Sequence, residues 1–224
     1  MRIRTVNLSR SFQVGSSQIA AVRAVNLEIS DPKLVAIVGP SGSGKSTLLN
    51  LIGLNDYPTS GQIFVDDVDA SRLSNRERRR IRNMNMGFVF QTFNLFPTLS
   101  ALENVELPMS LAKRPQGEQS ERALRLLETM GLAQRSNHRP KQLSMGEMQR
   151  VAIARALANS PEIIMADEPT GELDSKTAKE IISLLVDVNK RDKTTVVVAT
   201  HDEKIVEAAE VVYTMQDGEL KTEG

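Results

Sequence analysis

The sequence predicts an α/β fold built around a mostly parallel β-sheet. Three short segments are continuous apolar runs, which is typical of strands buried on both faces of a parallel sheet. They are KLVAIVG (33–39), EIIMAD (162–167) and TTVVVATHD (194–202). Segments with helical periodicity lie between them, at 45–53, 120–131, 145–159 and 175–191. Because buried strands alternate with helices, we expect a parallel α/β core.

The first third of the chain has a different pattern, in which apolar and polar residues alternate. RIRTVNLSRSF (2–12) and AVRAVNLEI (21–29) are separated by the turn-like VGSSQ, and GQIFVDDVDA (61–70) follows as a further short strand. Alternation of this kind indicates half-exposed strands and predicts an N-terminal antiparallel β subdomain. The final stretch, VVYTMQDGELKTEG (211–224), predicts a closing hairpin.

Residues 92–158 interrupt the strand–helix rhythm because they are nearly all helical and separate two core strands. We interpret them as an inserted helical subdomain. The chain is therefore predicted to be a single domain, 1–224, in which 1–91 and 159–224 form the core.

Composition excludes several classes of protein. The 224 residues contain 28 Lys plus Arg and 28 Asp plus Glu, so charge gives no reason to expect a nucleic-acid partner. There is no Cys and there are two His, which excludes thiolate chemistry and a His-based metal cluster. The apolar runs are shorter than the ~20 residues of a membrane span, and the first residues do not resemble a signal peptide. We expect a cytoplasmic protein that reaches a membrane only through a partner.

One local excess of positive charge stands out, NRERRRIRN at 75–83. It is interpreted as the solvated face of a short helix, with contact to anionic lipid or nucleic acid as the alternative.

Residues 39–46, GPSGSGKS, match the phosphate-loop pattern of Gly, four residues, then Gly-Lys-Ser/Thr. A buried strand precedes the motif and a helix follows it, which is the context the motif requires. Its glycines let successive backbone N–H groups face one anion. Lys45 is expected to reach the β- and γ-phosphates, Ser46 to ligate Mg²⁺ and Thr47 to bond a phosphate oxygen. The predicted nucleotide contacts are Gly39, Pro40, Ser41, Gly42, Ser43, Gly44, Lys45, Ser46 and Thr47.

Four polar residues each terminate an apolar strand: Gln91, Asp167, Glu168 and His201. The carboxyl ends of parallel strands meet at the ligand crevice of such a sheet, so these residues are predicted to share one site. Asp167 could hold Mg²⁺ through water, and Glu168 could act as the general base toward an attacking water.

A second anion-binding device is predicted at LSMGE (143–147), where Ser144 and Gly146 precede or open an amphipathic helix. The inserted lobe carries this helix tip away from the phosphate loop. A head-to-tail pair of chains would bring the Ser144 hydroxyl and the Gly146 N–H of one chain to the γ-phosphate held by the other. Two ATP molecules would then lie in an isologous interface.

In this order the motifs resemble the ATP-binding subunit of an ABC transporter over nearly the whole chain. The corresponding segments are the phosphate loop, Gln91 of the Q-loop, LSMGE as the signature, IIMADE (163–168) as the Walker B strand, GELD (171–174) as the D-loop, and the switch histidine His201. The resemblance implies a P-loop NTPase core, ATP and Mg²⁺ as cofactors, and adenine stacking on Phe12. It implies catalytic roles for Glu168, His201, Gln91 and Lys45, metal binding by Ser46, Gln91 and Asp167, and nucleotide contact by Asp174.

QTFNLFPTLSALENVELPM (91–109) and MADEPTGELDSKT (165–177) resemble a subgroup of lipoprotein-releasing, macrolide-exporting and cell-division ATPases. This implies an ATPase that drives a separate membrane subunit in export, extraction or mechanical coupling, peripheral on the inner face of the cell membrane. The alternative is a non-transport ABC-type ATPase that regulates a membrane or envelope partner. A nucleotide-gated module that hardly hydrolyses ATP is a third hypothesis, against which Glu168 argues.

Two residues depart from the family pattern. Met145 stands where the signature usually has glycine, so strain is expected if the backbone there needs positive φ. Glu172 adds a carboxylate to the D-loop. Four apolar residues beyond Gln91 form either the core of the helical lobe or a groove for a helix of the membrane subunit; they are Phe93, Leu95, Phe96 and Leu99.

Overall fold

The structure is a computed structural model that describes residues 1–30 and 32–222. The strands in those residues are β1 Ile3–Val14, β2 Ser17–Ile29, β3 Leu34–Val38, β4 Ser60–Val65, β5 Val68–Asp69, β6 Met86–Val89, β7 Ile163–Asp167, β8 Thr195–Ala199, β9 Val211–Gln216 and β10 Glu219–Thr222. The α-helices are α1 Lys45–Ile52, α2 Asn75–Asn85, α3 Ala101–Leu111, α4 Gln116–Thr129, α5 Met145–Leu157, α6 Ser175–Asp192 and α7 Glu203–Ala208. No helix in these residues is long and apolar enough to cross a membrane.

The central sheet has the strand order β10-β9-β3-β8-β7-β6. Strands β9, β3, β8, β7 and β6 run parallel, and β10 closes the edge antiparallel to β9. The predicted parallel core is therefore confirmed. The predicted C-terminal hairpin is β9–β10, although residues 223 and 224 of that prediction lie outside the described residues.

The smaller sheet is antiparallel, with the order β2-β1-β4-β5, as the alternating N-terminal pattern predicts. Register shifts interrupt the β1–β2 pairing between Thr5 and Ser11. The hairpin extends beyond them, so that Phe12 pairs with Ile19.

Two hydrophobic cores lie on opposite faces of the central sheet. Leu34 and Ala36 of β3 pack with α3–α6 on one face, while Val35 and Ile37 face α1 and the antiparallel sheet. Since successive strand residues point to opposite faces, a strand covered on both sides must be apolar throughout. This explains why the core strands show no alternation.

Helix α5 belongs to the helical region and also joins that region to the central sheet. A Cβ atom on Gly87 of β6 would lie 2.6 Å from the carbonyl oxygen of Ala156, so the last turn of α5 rests directly on the β6 backbone. The division into a core (1–91 and 159–224) and a helical subdomain (92–158) stays a prediction.

Candidate active site

The phosphate loop connects β3 to α1 and approaches neighbouring backbone very closely. Gly39 has φ 153° and Gly44 has φ 103°. A Cβ atom on Gly39 would lie 2.1 Å from the Met215 carbonyl oxygen, and one on Gly44 would lie 2.1 Å from that of Ala21. These glycines are needed because the loop is pressed between β9 and β2 and leaves no room for a side chain.

Lys45 is buried, with 7% of its surface exposed. Its Nζ donates to the carbonyl oxygens of Gly39 (2.8 Å) and Pro40 (3.1 Å). The ammonium group also lies 3.9 Å from Glu168 Oε1. The loop's own carbonyls thus hold the lysine at its centre. Pro40, Ser41 and Gly42 are exposed, whereas Ser43 is buried and its Oγ lacks a hydrogen-bond partner among the described residues.

Ser46 and Asp167 meet across the site, where Ser46 Oγ donates to Asp167 Oδ1 at 2.9 Å. Burial raises the pKa of the Asp167 carboxyl, and the neighbouring Glu168 adds to this, while Ser46 and Lys45 oppose it. When burial makes the ionised form of a carboxyl group unfavourable, a nearby cation stabilises that form strongly. A hydroxyl and a carboxylate are also the hard oxygen ligands that Mg²⁺ prefers, so the donor set fits this ion.

Glu168 follows directly, with φ 44°, and its Oε2 lies 3.0 Å from His201 Nδ1. That oxygen is buried and is not hydrogen-bonded to any described residue. A buried carboxylate oxygen with free acceptor capacity suits a water molecule that is to be deprotonated. The structure therefore brings Asp167, Glu168 and His201, three of the four strand-end residues, together with Lys45 and Ser46 of the phosphate loop.

Gln91 is held by a contact that the sequence did not indicate. Its Nε2 donates to Glu172 Oε1 at 3.0 Å. A Cβ atom on Gly171 would lie 3.2 Å from the same nitrogen, so the amide lies over the Gly171 backbone. The unusual D-loop carboxylate thus ties the Q-loop to the D-loop. Since a carboxylate only accepts hydrogen bonds, Glu172 engages the nitrogen of Gln91 and leaves the amide oxygen, the atom that binds metals, available.

The signature helix has its own capping arrangement. Glu147 N donates to Ser144 Oγ (3.3 Å), and Ser144 N donates to Glu147 Oε2 (2.8 Å), which is a capping box. A Cβ atom on Gly146 would lie 2.5 Å from the Thr177 methyl group of α6. Met145 opens α5 without positive φ and is half exposed, so the strain considered for it from the sequence is absent.

Asp174 caps α6 in its own chain. Its carboxylate accepts from Lys176 N (3.0 Å) and from the N and Oγ1 of Thr177 (3.1 and 2.6 Å). These hydrogen bonds lower the pKa of Asp174. Phe12 lies in the β1–β2 hairpin with 38% of its surface exposed, and Thr47 is half-buried in α1.

An open groove of about 980 Å³ lies between α2 and the end of α3, over β6. Its apolar surface includes Met84, Phe88 and Leu111, of which Leu111 is 69% exposed. No Asp or Glu is among its lining residues in the described part of the chain. The cationic lining residues are Arg76, Arg79, Arg80, Arg82, Lys113 and Arg155.

The basic run at 75–83 is therefore not only the solvated helix face that its sequence pattern indicates. Arg78 is buried and bonds the carbonyls of Asp56 and Ala70. Arg82 bonds the Leu54 carbonyl. The apolar quartet beyond Gln91 does not line the groove: Leu95 packs on the core and Phe96 is 51% exposed.

Arg155 was missed by the sequence interpretation because nothing in an amphipathic helix marks one arginine among several. Its guanidinium donates to the carbonyls of Phe93 (2.9 Å) and Asn94 (2.5 Å), which have φ values of 60° and 47°. Burial lowers the pKa of Arg155 to about 10. The arginine thus clamps the turn that follows Gln91 to the signature helix.

The chain is similar to known proteins over most of its length. The family model described as "ABC transporter" matches residues 22–171. The ABC transporter ATP-binding protein MJ0796 of Methanocaldococcus jannaschii is 48% identical over 225 residues, covering 99% of this chain and 96% of that protein. The lipoprotein-releasing system ATP-binding protein LolD of Legionella pneumophila strain Paris is 44% identical over 213 residues, covering 95% and 94%.

Two solved structures are similar throughout. A dimeric structure of a post-hydrolysis state of the MJ0796 cassette bound to ADP and Pi has a TM-score of 0.91 at 45% identity, with 98% of each chain covered. A second dimeric MJ0796 structure has the same TM-score and coverage at 46% identity. The fold, the ordered motifs and the matches over nearly the full length lead to one conclusion: the chain belongs to the ABC transporter family, as a member of its ATP-binding proteins.

Proposed function

We propose that this protein is the ATP-binding and ATP-hydrolysing subunit of an ABC transporter complex, and that two copies close head-to-tail around two Mg-ATP to drive a separate membrane subunit. The observation that carries this proposal is the convergence of Lys45, Ser46, Asp167 and Glu168 on one phosphate loop. The names of relatives, among them lipoprotein-releasing and syringafactin-export proteins, favour a transport-linked ATPase over a non-transport regulator.

The residues divide the chemistry among them. The loop's backbone N–H groups and the Lys45 ammonium bind the phosphates, and Ser46, Asp167 and the free oxygen of Gln91 would hold Mg²⁺. The ion would neutralise charge on the phosphate oxygens. Glu168 would accept a proton from the attacking water, and His201 lies beside that carboxylate, with its Nδ1 3.0 Å from Oε2.

The second copy would complete each site. Within one chain, Ser144 and Gly146 contact Glu147 and the start of α6. The exposed Ser144 hydroxyl at the N-terminus of a 13-residue helix suits an anion from another molecule. The MJ0796 cassette is dimeric in both similar structures, which supports a dimer of this chain.

Substitution of Glu168→Gln tests the proposal. The amide keeps the shape of the carboxylate but cannot accept the proton, so ATP should bind without being hydrolysed. We expect a dimer by light scattering with ATP, a monomer with ADP, and a loss of turnover of at least about 100-fold. The variant Glu168→Gln/Lys45→Ala serves as a control and should stay monomeric with ATP. A Glu168→Gln variant that remains monomeric in ATP would contradict the proposal.

We further propose that the groove between α2 and α3 receives the membrane subunit, through an acidic amphipathic helix on that subunit's inner side. Among the described residues, six cations and no carboxylate line the groove, together with apolar side chains such as Met84, Phe88 and Leu111. Such a lining complements a segment with one acidic and one apolar face. Bound in this way, the protein would be held at the inner face of the cell membrane by its partner.

Copurification from detergent-solubilised membranes tests this docking site. Arg76→Glu/Arg79→Glu should lose the membrane subunit while basal ATP turnover is retained. Arg125→Glu, an exposed change on α4, is the matched control and should retain it. The recovered subunit must carry an acidic amphipathic segment whose deletion has the same effect. Equal recovery with both charge-reversed proteins would refute the docking site.

A further inference from the structure

The β1–β2 hairpin brings Phe12 close to the phosphate loop. Gly44 packs against the carbonyl of Ala21, and Ile19, two residues earlier on β2, pairs with Phe12. A strand rises about 3.3 Å per residue and neighbouring strands are about 5 Å apart, so the Phe12 backbone lies roughly 8 Å from that contact. This spacing is comparable with that between the β-phosphate and the base of an extended nucleotide.

The surface of the hairpin at this point is apolar. Phe12 is 38% exposed, Ile19 is 52% exposed and Val14 is 57% exposed. An exposed aromatic ring among exposed aliphatic side chains suits a flat, weakly polar ligand such as a purine.

One face of the Phe12 ring is already occupied by Arg10, whose Cζ lies 4.6 Å from the ring centroid. Arg10 is fixed by Asp56 through two hydrogen bonds, Nε to Oδ2 at 2.8 Å and Nη2 to Oδ1 at 3.0 Å. Both side chains are about three-quarters buried, at 25% and 27% exposure. A guanidinium held by a bidentate carboxylate has little freedom, so it restricts the ring that it covers.

We propose that Arg10 is a positioning residue for nucleotide binding, which acts through Phe12. Asp56 holds Arg10, Arg10 covers one face of the Phe12 ring, and the purine stacks on the other face. The inference rests on the proposed nucleotide-binding function and adds a specific role that the family motifs do not include. Its physical basis is cation–π attraction, which fixes the ring before the base arrives and so reduces the ordering that binding requires.

Equilibrium binding of two probes, ADP and inorganic tripolyphosphate, separates the base from the phosphates. Measured by calorimetry, Arg10→Gln should weaken ADP binding about two- to fivefold and leave tripolyphosphate binding unchanged. Arg4→Gln is the matched control, because Arg4 lies 4.1 Å above the Phe64 ring in the same sheet, where no ligand contact is proposed. It should change neither affinity.

A double-mutant cycle with Phe12→Ala shows whether Arg10 acts through the ring. Phe12→Ala alone should weaken ADP binding, and adding Arg10→Gln should have no further effect. The proposal is overturned if Arg10→Gln leaves ADP affinity unchanged, if it weakens tripolyphosphate equally, or if its effect persists without Phe12.

A protein that does not bind nucleotide at the phosphate loop would give a different result from one in which only the role of Arg10 is wrong. If the wild-type protein binds neither probe, or if Lys45→Ala weakens neither, nucleotide binding at this loop is wrong and the role of Arg10 falls with it. Thermal unfolding of Arg10→Gln beside Arg4→Gln checks folding. If both variants lose ADP affinity in proportion to their loss of melting temperature, whichever arginine is replaced, the proposal is also overturned.

Discussion

Met145 shows how one substitution in a family motif is accommodated. The residue opens α5 without positive φ, and half of its side chain is exposed. We therefore expect Met145→Gly to change ATP turnover less than about twofold, because no strain is released and no buried contact is lost. A larger gain would show that the methionine obstructs closure of the dimer.

Gly146, its neighbour, should be far less tolerant. The Thr177 methyl group lies 2.5 Å from where a Cβ atom would be, and Thr177 is fixed by the bond from its Oγ1 to Asp174. Gly146→Ala should thus push α5 away from α6 and reduce turnover by about tenfold or more. Thr177→Ser removes the methyl group and keeps the hydroxyl, so the double variant Gly146→Ala/Thr177→Ser should recover most of the activity. Failure of this rescue would place the defect elsewhere.

Many residues of the site could be predicted one by one, because several of its polar side chains come directly after a strand. Asp167, Glu168 and His201 each follow an apolar run, and parallel strands bring their ends to one edge of the sheet, beside the phosphate-loop motif that supplies Lys45 and Ser46. The contact between Gln91 and Glu172 was not predictable, because their separation of 81 residues carries no local pattern. Arg10 could have been found, since residues two apart on a strand share a face and Phe12 was already a candidate.

At the scale of helices and loops, Arg155 is the clearest case of a side chain that connects two elements. It extends from α5 to two carbonyls in the turn after Gln91, whose residues have positive φ without being glycine. Arg155→Met should lower the free energy of unfolding by roughly 2 kcal/mol, because the carbonyls lose their donors and the turn loses its clamp. Urea unfolding measures this difference.

The same helix provides the control for that experiment. Arg150 bonds Glu180 of α6 at 2.7 Å, and 24% and 46% of the two side chains are exposed. Arg150→Met should cost less than about 1 kcal/mol, because the carboxylate it leaves behind stays in contact with water. Equal losses at the two positions would mean that Arg155 contributes only an ordinary surface contact.

Secondary structure was predictable where the pattern was strong and less so where tertiary contacts decide. The core strands, the antiparallel N-terminal strands, α1, α4, α5 and α6 all lie close to the predicted ranges. The groove could not be derived from the sequence, because it forms where α2, α3 and β6 converge. Arg78 looked like its exposed neighbours in the basic run, and only the fold shows that it is buried.

At the scale of the whole molecule, each chain would contribute two parts to the proposed ATP sites, the phosphate loop to one site and the start of the signature helix α5 to the other. The chain contains no cysteine, so single cysteines can report which surfaces meet without background. We predict that chains with Ser41→Cys and chains with Ser144→Cys, each also carrying Glu168→Gln, will cross-link to one another through a short bis-maleimide linker when ATP is added. Ser41 and Ser144 are both exposed, so the reagent can reach a cysteine at either position.

Tags of different size on the two chains distinguish the products of this experiment. The mixed product should form in ATP and not in ADP, and neither variant should cross-link to itself, because a two-fold head-to-tail interface pairs the loop of one chain with the signature of the other. A chain carrying both cysteines should form the dimer by itself. If each single variant instead cross-links to itself as readily as to the other, the chains meet like to like, and Ser144 cannot serve the phosphate held by a partner's Lys45.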